Sequence, residues 1–345
     1  MRIGSFLTAV PPQISVSAIS AAFGAPEVPA SGRAFMPEAS SLGEGIRMIL
    51  QDVIPQIRPD LYEASRVCLA VIAAVMVVSV VQSFSGAQKN VCNIAGCASI
   101  AATLLLSTNS MVRLGSDTIL EMVQYGKLLI PVMTAALAAQ GAVGTSAALY
   151  AATMAVISLV SSFLAKILVP MIYLFLALAV ASGATGEDML KQFRNLMKDV
   201  IGWFLKTVLT VFTTYMGLTG VISGTADSAA AKVTKAVISS AVPIVGGILS
   251  DASESVMVSV AMAKNAAGLY GFFAVIAICI DPFLKIGCHY LLLKATGAVC
   301  AIFGSKPITE LIGDFSSAMG LLLAMTGSVC LLLLISIVCY LRGVV

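Results

Sequence analysis

Charge is scarce in this chain. Its 345 residues include 20 Lys and Arg and 17 Asp and Glu, 11% in all, against about 25% in an ordinary soluble protein. Histidine and tryptophan occur once each, so a multi-histidine metal site is excluded. No basic run points to nucleic acid, and no acidic tail points to a soluble charged partner. The eight cysteines form no C-x-x-C pair. Most lie in apolar stretches, where they read as small polarizable packing residues rather than disulfides or metal ligands. A Walker A loop and a dinucleotide fingerprint are missing too, as are the G-x-S-G and G-x-G-D signatures expected of intramembrane serine and aspartyl proteases. These absences argue against an enzyme and imply no cofactor.

What fills the chain instead is apolar sequence, 59% of its residues. Uncharged runs of 22, 23, 38 and 27 residues separate Arg66 from Lys89, Lys89 from Arg113, Lys127 from Lys166, and Asp314 from Arg342. A bilayer-spanning helix needs about 20 such residues. The pattern predicts an all-α, polytopic integral membrane protein with about 7–10 transmembrane or re-entrant helices. Lys and Arg occur in nearly every loop, so the positive-inside rule fixes no orientation.

Three regions follow. Residues 1–42 form an N-terminal extension or a weak signal segment, its apolar part interrupted by Pro11 and Pro12, followed by a Pro-, Gly- and Ser-rich linker that reaches residue 45. Residues 43–66 form an amphipathic juxtamembrane segment, expected to break at Pro55 and Pro59. Residues 67–345 form the multi-pass membrane domain, opening with spans at 67–88 and 90–112 and closing with one at 315–341, after a polar re-entry over 305–314. Between 185 and 206, Met189, Phe193, Leu196, Met197, Val200 and Ile201 recur at helical spacing opposite Lys191, Arg194 and Lys198. That pattern is an interfacial amphipathic helix.

Two apolar pieces are too short to span and are broken in the same way. In the first, Pro131, Gly141 and Gly144 interrupt the 38-residue run. In the second, Pro243, Gly246, Gly247 and Ser250 lead to Asp251, with Lys264 and Asn265 beyond. Paired interrupted segments point to a substrate or ion path in transporters, and two ordinary kinked helices fit as well. The second piece is expected to form a re-entrant or kinked hairpin in which Asp251 and Lys264 pair or line a polar path. Asp281-Pro282 reads as a helix start, and Asp281, Lys285 and His289 form a further ionisable group.

The run AVPIVGGILSDASESVMVSVAMAKNAAGLYG, residues 241–271, resembles the signature stretch of the stage III sporulation protein AE family. The matching positions are Pro243, Gly246, Gly247, Ser250, Asp251, Lys264, Asn265 and Gly268. IPVMTAALAAQGAVGTSAALY (130–150) and LVPMIYLFLALA (168–179) resemble two other family stretches, and the likeness covers roughly residues 40–345. It implies a multi-pass protein of the mother-cell membrane surrounding the forespore. It also implies assembly with other stage III sporulation proteins of the same operon into a secretion-like channel, and no enzymatic activity. Partners beyond these are the lipid bilayer and further copies in a homo-oligomer. The rival from the residues alone is a stand-alone secondary transporter for a small solute or ion.

Overall fold

A computed structural model describes residues 24–37, 42–84, 89–140, 142–185, 188–241 and 246–342, with the backbone alone over 217–241 and 246–264. Within these residues the regular structure is helical and no strand occurs. After a short helical turn, Ala30–Arg33, come α1 (Leu42–Phe84), α2 (Lys89–Ala139) and α3 (Val143–Phe163). A π turn, Leu164–Leu168, leads into α4 (Val169–Thr185), then α5 (Asp188–Ala241), α6 (Gly246–Phe303) and α7 (Lys306–Arg342). Among the described residues, five stretches are long and apolar enough to cross a bilayer: Gly43–Phe84, Val91–Ala139, Val143–Thr185, Asn265–Phe303 and Lys306–Leu341. The all-α, membrane-spanning expectation is met, with several predicted neighbours fused into longer helices.

The prolines explain the fusion. Pro55 and Pro59 lie inside α1, Pro131 inside α2 and Pro282 inside α6. Each removes one backbone N–H, but the packing around it continues unbroken. Across the expected breaks in α1, Ile49, Val53 and Ile57 lie buried at four-residue spacing against Phe273 and Leu269 of α6. That stripe holds the helix through both prolines, which face outward. Asp281-Pro282 likewise starts no helix, because Ile278, Cys279 and Ile286 are buried on either side of it. α2 ends at Ala139, eight residues beyond Pro131, and α3 begins at Val143, just ahead of Gly144. Between α6 and α7 only residues 304 and 305 are non-helical, so the polar re-entry shrinks to a tight turn. Pro170 does leave a mark. It cannot donate to the Lys166 carbonyl, and the ladder just before it slips to i+5, with the Val169 N–H donating to the Leu164 carbonyl.

The linker is also more ordered than its composition suggests. Val28 and Phe35 are buried, Gly32 lies against Ile278 of α6, and the Ser31 hydroxyl donates to Glu121 of α2.

α7 is the central helix and packs most extensively on α6 and α2. Glycine allows the close crossings: a Cβ on Gly126 would lie 2.5 Å from Leu333, and one on Gly271 2.6 Å from Leu129. The ends of α1, α4 and α6 meet the start of α2 at one end of the bundle. There Gln82 Nε2 donates to Asn93 Oδ1 at 2.7 Å and Ser305 Oγ to the same oxygen at 2.9 Å. Ser79 Oγ donates to the Phe303 carbonyl at 2.7 Å, and Cys97 Sγ to the Gly183 carbonyl at 3.2 Å. The eight cysteines form no disulfide among the described residues.

Candidate functional site

α1, α2 and α6 line an open cavity of about 640 Å³. α1 supplies Asp60, Glu63, Ala64 and Val67, spaced to share one helical face. α2 supplies a hydroxyl stripe, Thr103, Ser107 and Ser110, flanked by Ala102, Leu106 and Met111. α6 supplies His289, which is buried with its Nε2 3.0 Å from Ser107 Oγ. One turn earlier on α6, Lys285 Nζ bridges Asp60 of α1 at 3.1 Å and Asp281 of its own helix at 3.0 Å. The bridge ties α1 to α6 at the edge of the cavity, and Asp281 Oδ1 is buried without a hydrogen-bond partner. The Ser107–His289 pair resembles a nucleophile and base. Ser107 lies mid-helix, however, where neighbouring backbone N–H groups are used by the helix ladder and offer no ready oxyanion hole. Among the described residues no group of His, Cys, Asp and Glu is arranged to hold a metal ion.

A second charged cluster joins α5 to α7 near the same end of the bundle. Arg194 Nη1 lies 2.5 Å from Asp314 Oδ2 and donates to Ser182 Oγ of α4 at 2.8 Å. The approach to Asp314 is an ion pair whose angles are not those of a hydrogen bond, and Arg194 Nε has no hydrogen-bond partner. Both side chains are buried, 8% and 14% exposed. One turn outward, Lys191 pairs with Glu310 at 3.0 Å, and Lys306 lies 4.0 Å from the same carboxylate.

α5 is not the simple two-faced amphipathic helix that its pattern predicts. Arg194, expected on the polar face, is turned inward with Met197, Ile201 and Leu205. The expected apolar face splits: Met197 and Ile201 pack inward, while Met189, Phe193, Leu196, Val200 and Trp203 form an exposed stripe. Beside it runs an exposed polar stripe, Gln192, Asn195, Asp199 and Lys206. Phe163 stacks on Phe204 with ring centroids 3.6 Å apart, so α5 runs back along α4 and α3.

The predicted site residues scatter over this framework. Asp281, Lys285 and His289 do come together, beside the cavity. Pro131 lies on the outer side of α2, and Gly144 in the exposed first turn of α3. Gly141 and Pro243 lie outside the described residues, as do the side-chain environments of Gly246, Gly247, Ser250, Asp251 and Lys264. The backbone from Gly246 through Asn265 is continuous helix, so the hairpin expected within that stretch is replaced by the first third of α6. Sequence reading missed Asp60, Ser107 and the Arg194–Asp314 pair. The hydroxyl stripe at 103, 107 and 110, and a lone Asp314 ahead of 27 uncharged residues, were the available signals.

Comparison with known proteins resolves the resemblance. The model of the family described as Stage III sporulation protein AE matches residues 40–342. The chain belongs to the stage III sporulation protein AE family. Stage III sporulation protein AE of Bacillus subtilis (strain 168) is 22% identical over 253 residues, which are 72% of this chain and 63% of that relative. The match thus covers less than two thirds of the relative's length. No solved structure matches. Family membership supports a role in sporulation, and with the five apolar helices it supports a membrane location.

Proposed function

We propose that this protein is the integral membrane part of a channel or secretion-like apparatus between mother cell and forespore. In that reading it sits in the mother-cell membrane around the forespore. There it works with other stage III sporulation proteins of the same operon, without enzymatic activity or a cofactor. The observation that carries the reading is the family match over residues 40–342. The exposed polar stripe of α5 supports an assembled state. Asp facing lipid near the centre of a span costs about 2.5–3.5 kcal/mol by insertion scales, so Asp199 favours a protein neighbour or a water-filled path over acyl chains. The test is deletion of the gene in its own host with wild-type complementation, scored by microscopy. Arrest after engulfment, reversed by the wild-type gene, is the expected result. Normal spores from the deletion strain would remove the reading.

The cavity gives the rival reading its observation. A pocket with two carboxylates and a buried histidine between three apolar helices also suits a stand-alone secondary transporter for a small solute or ion. That reading predicts uptake into vesicles containing this protein alone.

A further inference from the structure

The cavity between α1, α2 and α6 is amphiphilic, and its polarity follows depth. From Val67 to Phe84, α1 carries 18 uncharged residues, about 27 Å of helix, close to the thickness of a hydrocarbon core. Asp60 and Glu63 lie just beyond that run, at headgroup level. Ala64 and Val67 line the same cavity on the hydrocarbon side, opposite Ala102 and Leu106.

The polar part of the lining is rich in acceptors. Ser110 Oγ donates to the Ser107 carbonyl at 2.7 Å and Thr103 Oγ1 to the Ser99 carbonyl at 3.1 Å. Their protons are spent inside α2, and their lone pairs are left to accept. Glu63 adds a carboxylate that makes no ion pair among the described residues. Asp60 is shared with Lys285, whose charge is shared in turn with Asp281. No lysine or arginine lines the cavity among the described residues. Such a lining offers negative charge and lone pairs. It is complemented by a group with positive charge and only N–H donors.

We propose that this cavity binds a primary ammonium group, with Glu63 as its counter-ion and Ser110 as a hydrogen-bond acceptor. The ammonium comes either from the ethanolamine headgroup of a lipid or from a small free amine. The apolar wall beneath Glu63 fits the carbon part of either source.

The test uses the full-length protein in nanodiscs of phosphatidylglycerol containing a minor fraction of phosphatidylethanolamine or phosphatidylcholine, with the thermal unfolding midpoint as readout. In parallel, detergent-solubilised protein is titrated with free ethanolamine and with choline. Phosphatidylethanolamine is expected to raise the midpoint where phosphatidylcholine does not. Glu63→Gln is expected to weaken the response about tenfold or more, and Ser110→Ala by a smaller factor. Glu63 is exposed, so its substitution leaves folding intact. If free ethanolamine gives the same Glu63-dependent shift, the site takes a soluble amine. If only the lipid does, the headgroup is the ligand. Equal responses to the choline compounds, which carry no N–H, or an undiminished response in both variants, would overturn the proposal.

Discussion

Replacing Asp314 by Asn tests how the buried cluster between α5 and α7 is held. The substitution keeps the volume and removes one charge. Arg194 then stays positive, 8% exposed, with Ser182 Oγ as its remaining hydrogen-bond partner and Nε still without one. Breaking a buried pair by neutralising one partner costs about 3–5 kcal/mol, because the other charge is left uncompensated. At roughly 2 °C per kcal/mol for a chain of this size, the unfolding midpoint in detergent should fall by about 6–10 °C. The outer rung provides an internal control. Lys191 and Glu310 are 26% and 32% exposed, so Lys191→Ala should cost only about 0–1 kcal/mol. Removing both buried charges with Arg194→Met and Asp314→Leu should recover most of the loss, since an apolar replacement of a buried pair is often neutral or stabilising. If Asp314→Asn and Lys191→Ala shift the midpoint equally, or the double variant is as unstable as the single one, desolvation does not govern this cluster and the reasoning is refuted.

Three further outcomes follow from the packing. Gly271→Ala places a methyl against Leu129, which is 1% exposed and has no room to swing; a loss of about 1–3 kcal/mol is expected from overpacking in thermal melts. Lys285→Met strips Asp60 and Asp281 of their shared cation and should cost about 1–3 kcal/mol, with Lys285→Arg retaining more stability in the same assay. In a variant whose native cysteines are replaced by alanine, a cysteine at Asp52 or Asp117 should react quickly with a membrane-impermeant maleimide and one at Met76 slowly; fast labelling at position 76 would show that this face of α1 is not lipid-covered.

The helical class and the apolar segments were legible because both are local signals. Uncharged run length and the four-residue spacing of Ile49, Val53 and Ile57 need no knowledge of the rest of the chain. Proline was misleading for the opposite reason. Its cost is local, about one hydrogen bond and some crowding, whereas the contacts that outweigh it come from α6, more than 200 residues away in sequence. The site was half legible. Asp281, Lys285 and His289 sit on one helix, so their spacing brought them together on paper. Their partners Asp60 and Ser107 come from α1 and α2, and no spacing rule links residues 107 and 289. Arg194 shows the limit of pattern reading most clearly. An arginine on the charged side of an amphipathic helix reads as solvent-facing until a carboxylate on another helix is found to meet it.

At 1.5 Å per residue, α1, α2 and α6 measure about 65 to 87 Å, at least twice a hydrocarbon core of about 30 Å, so a large part of each lies beyond the acyl chains. The charges say which part. In α1 the uncharged stretch runs from Phe84 back to Val67, and exposed Arg58, Asp52 and Arg47 lie beyond it. In α2 it runs from Val91 to Val112, followed by exposed Arg113, Asp117 and Lys127. Exposed Lys166 lies about 28 Å of helix from Thr185, the end of α4 at the same side of the bundle. Three chain segments place the border of the apolar zone at one height, the height of Asp60 and the cavity. α5 runs back alongside α3 and α4 through that zone, yet exposes Asn195, Lys198 and Asp199 within it. A helix that is charged where its neighbours are greasy is poorly suited to face lipid on that side. The face of α5 carrying these residues suits a protein neighbour or a water-filled path better than lipid, while the adjoining stripe from Met189 to Trp203 suits the acyl chains.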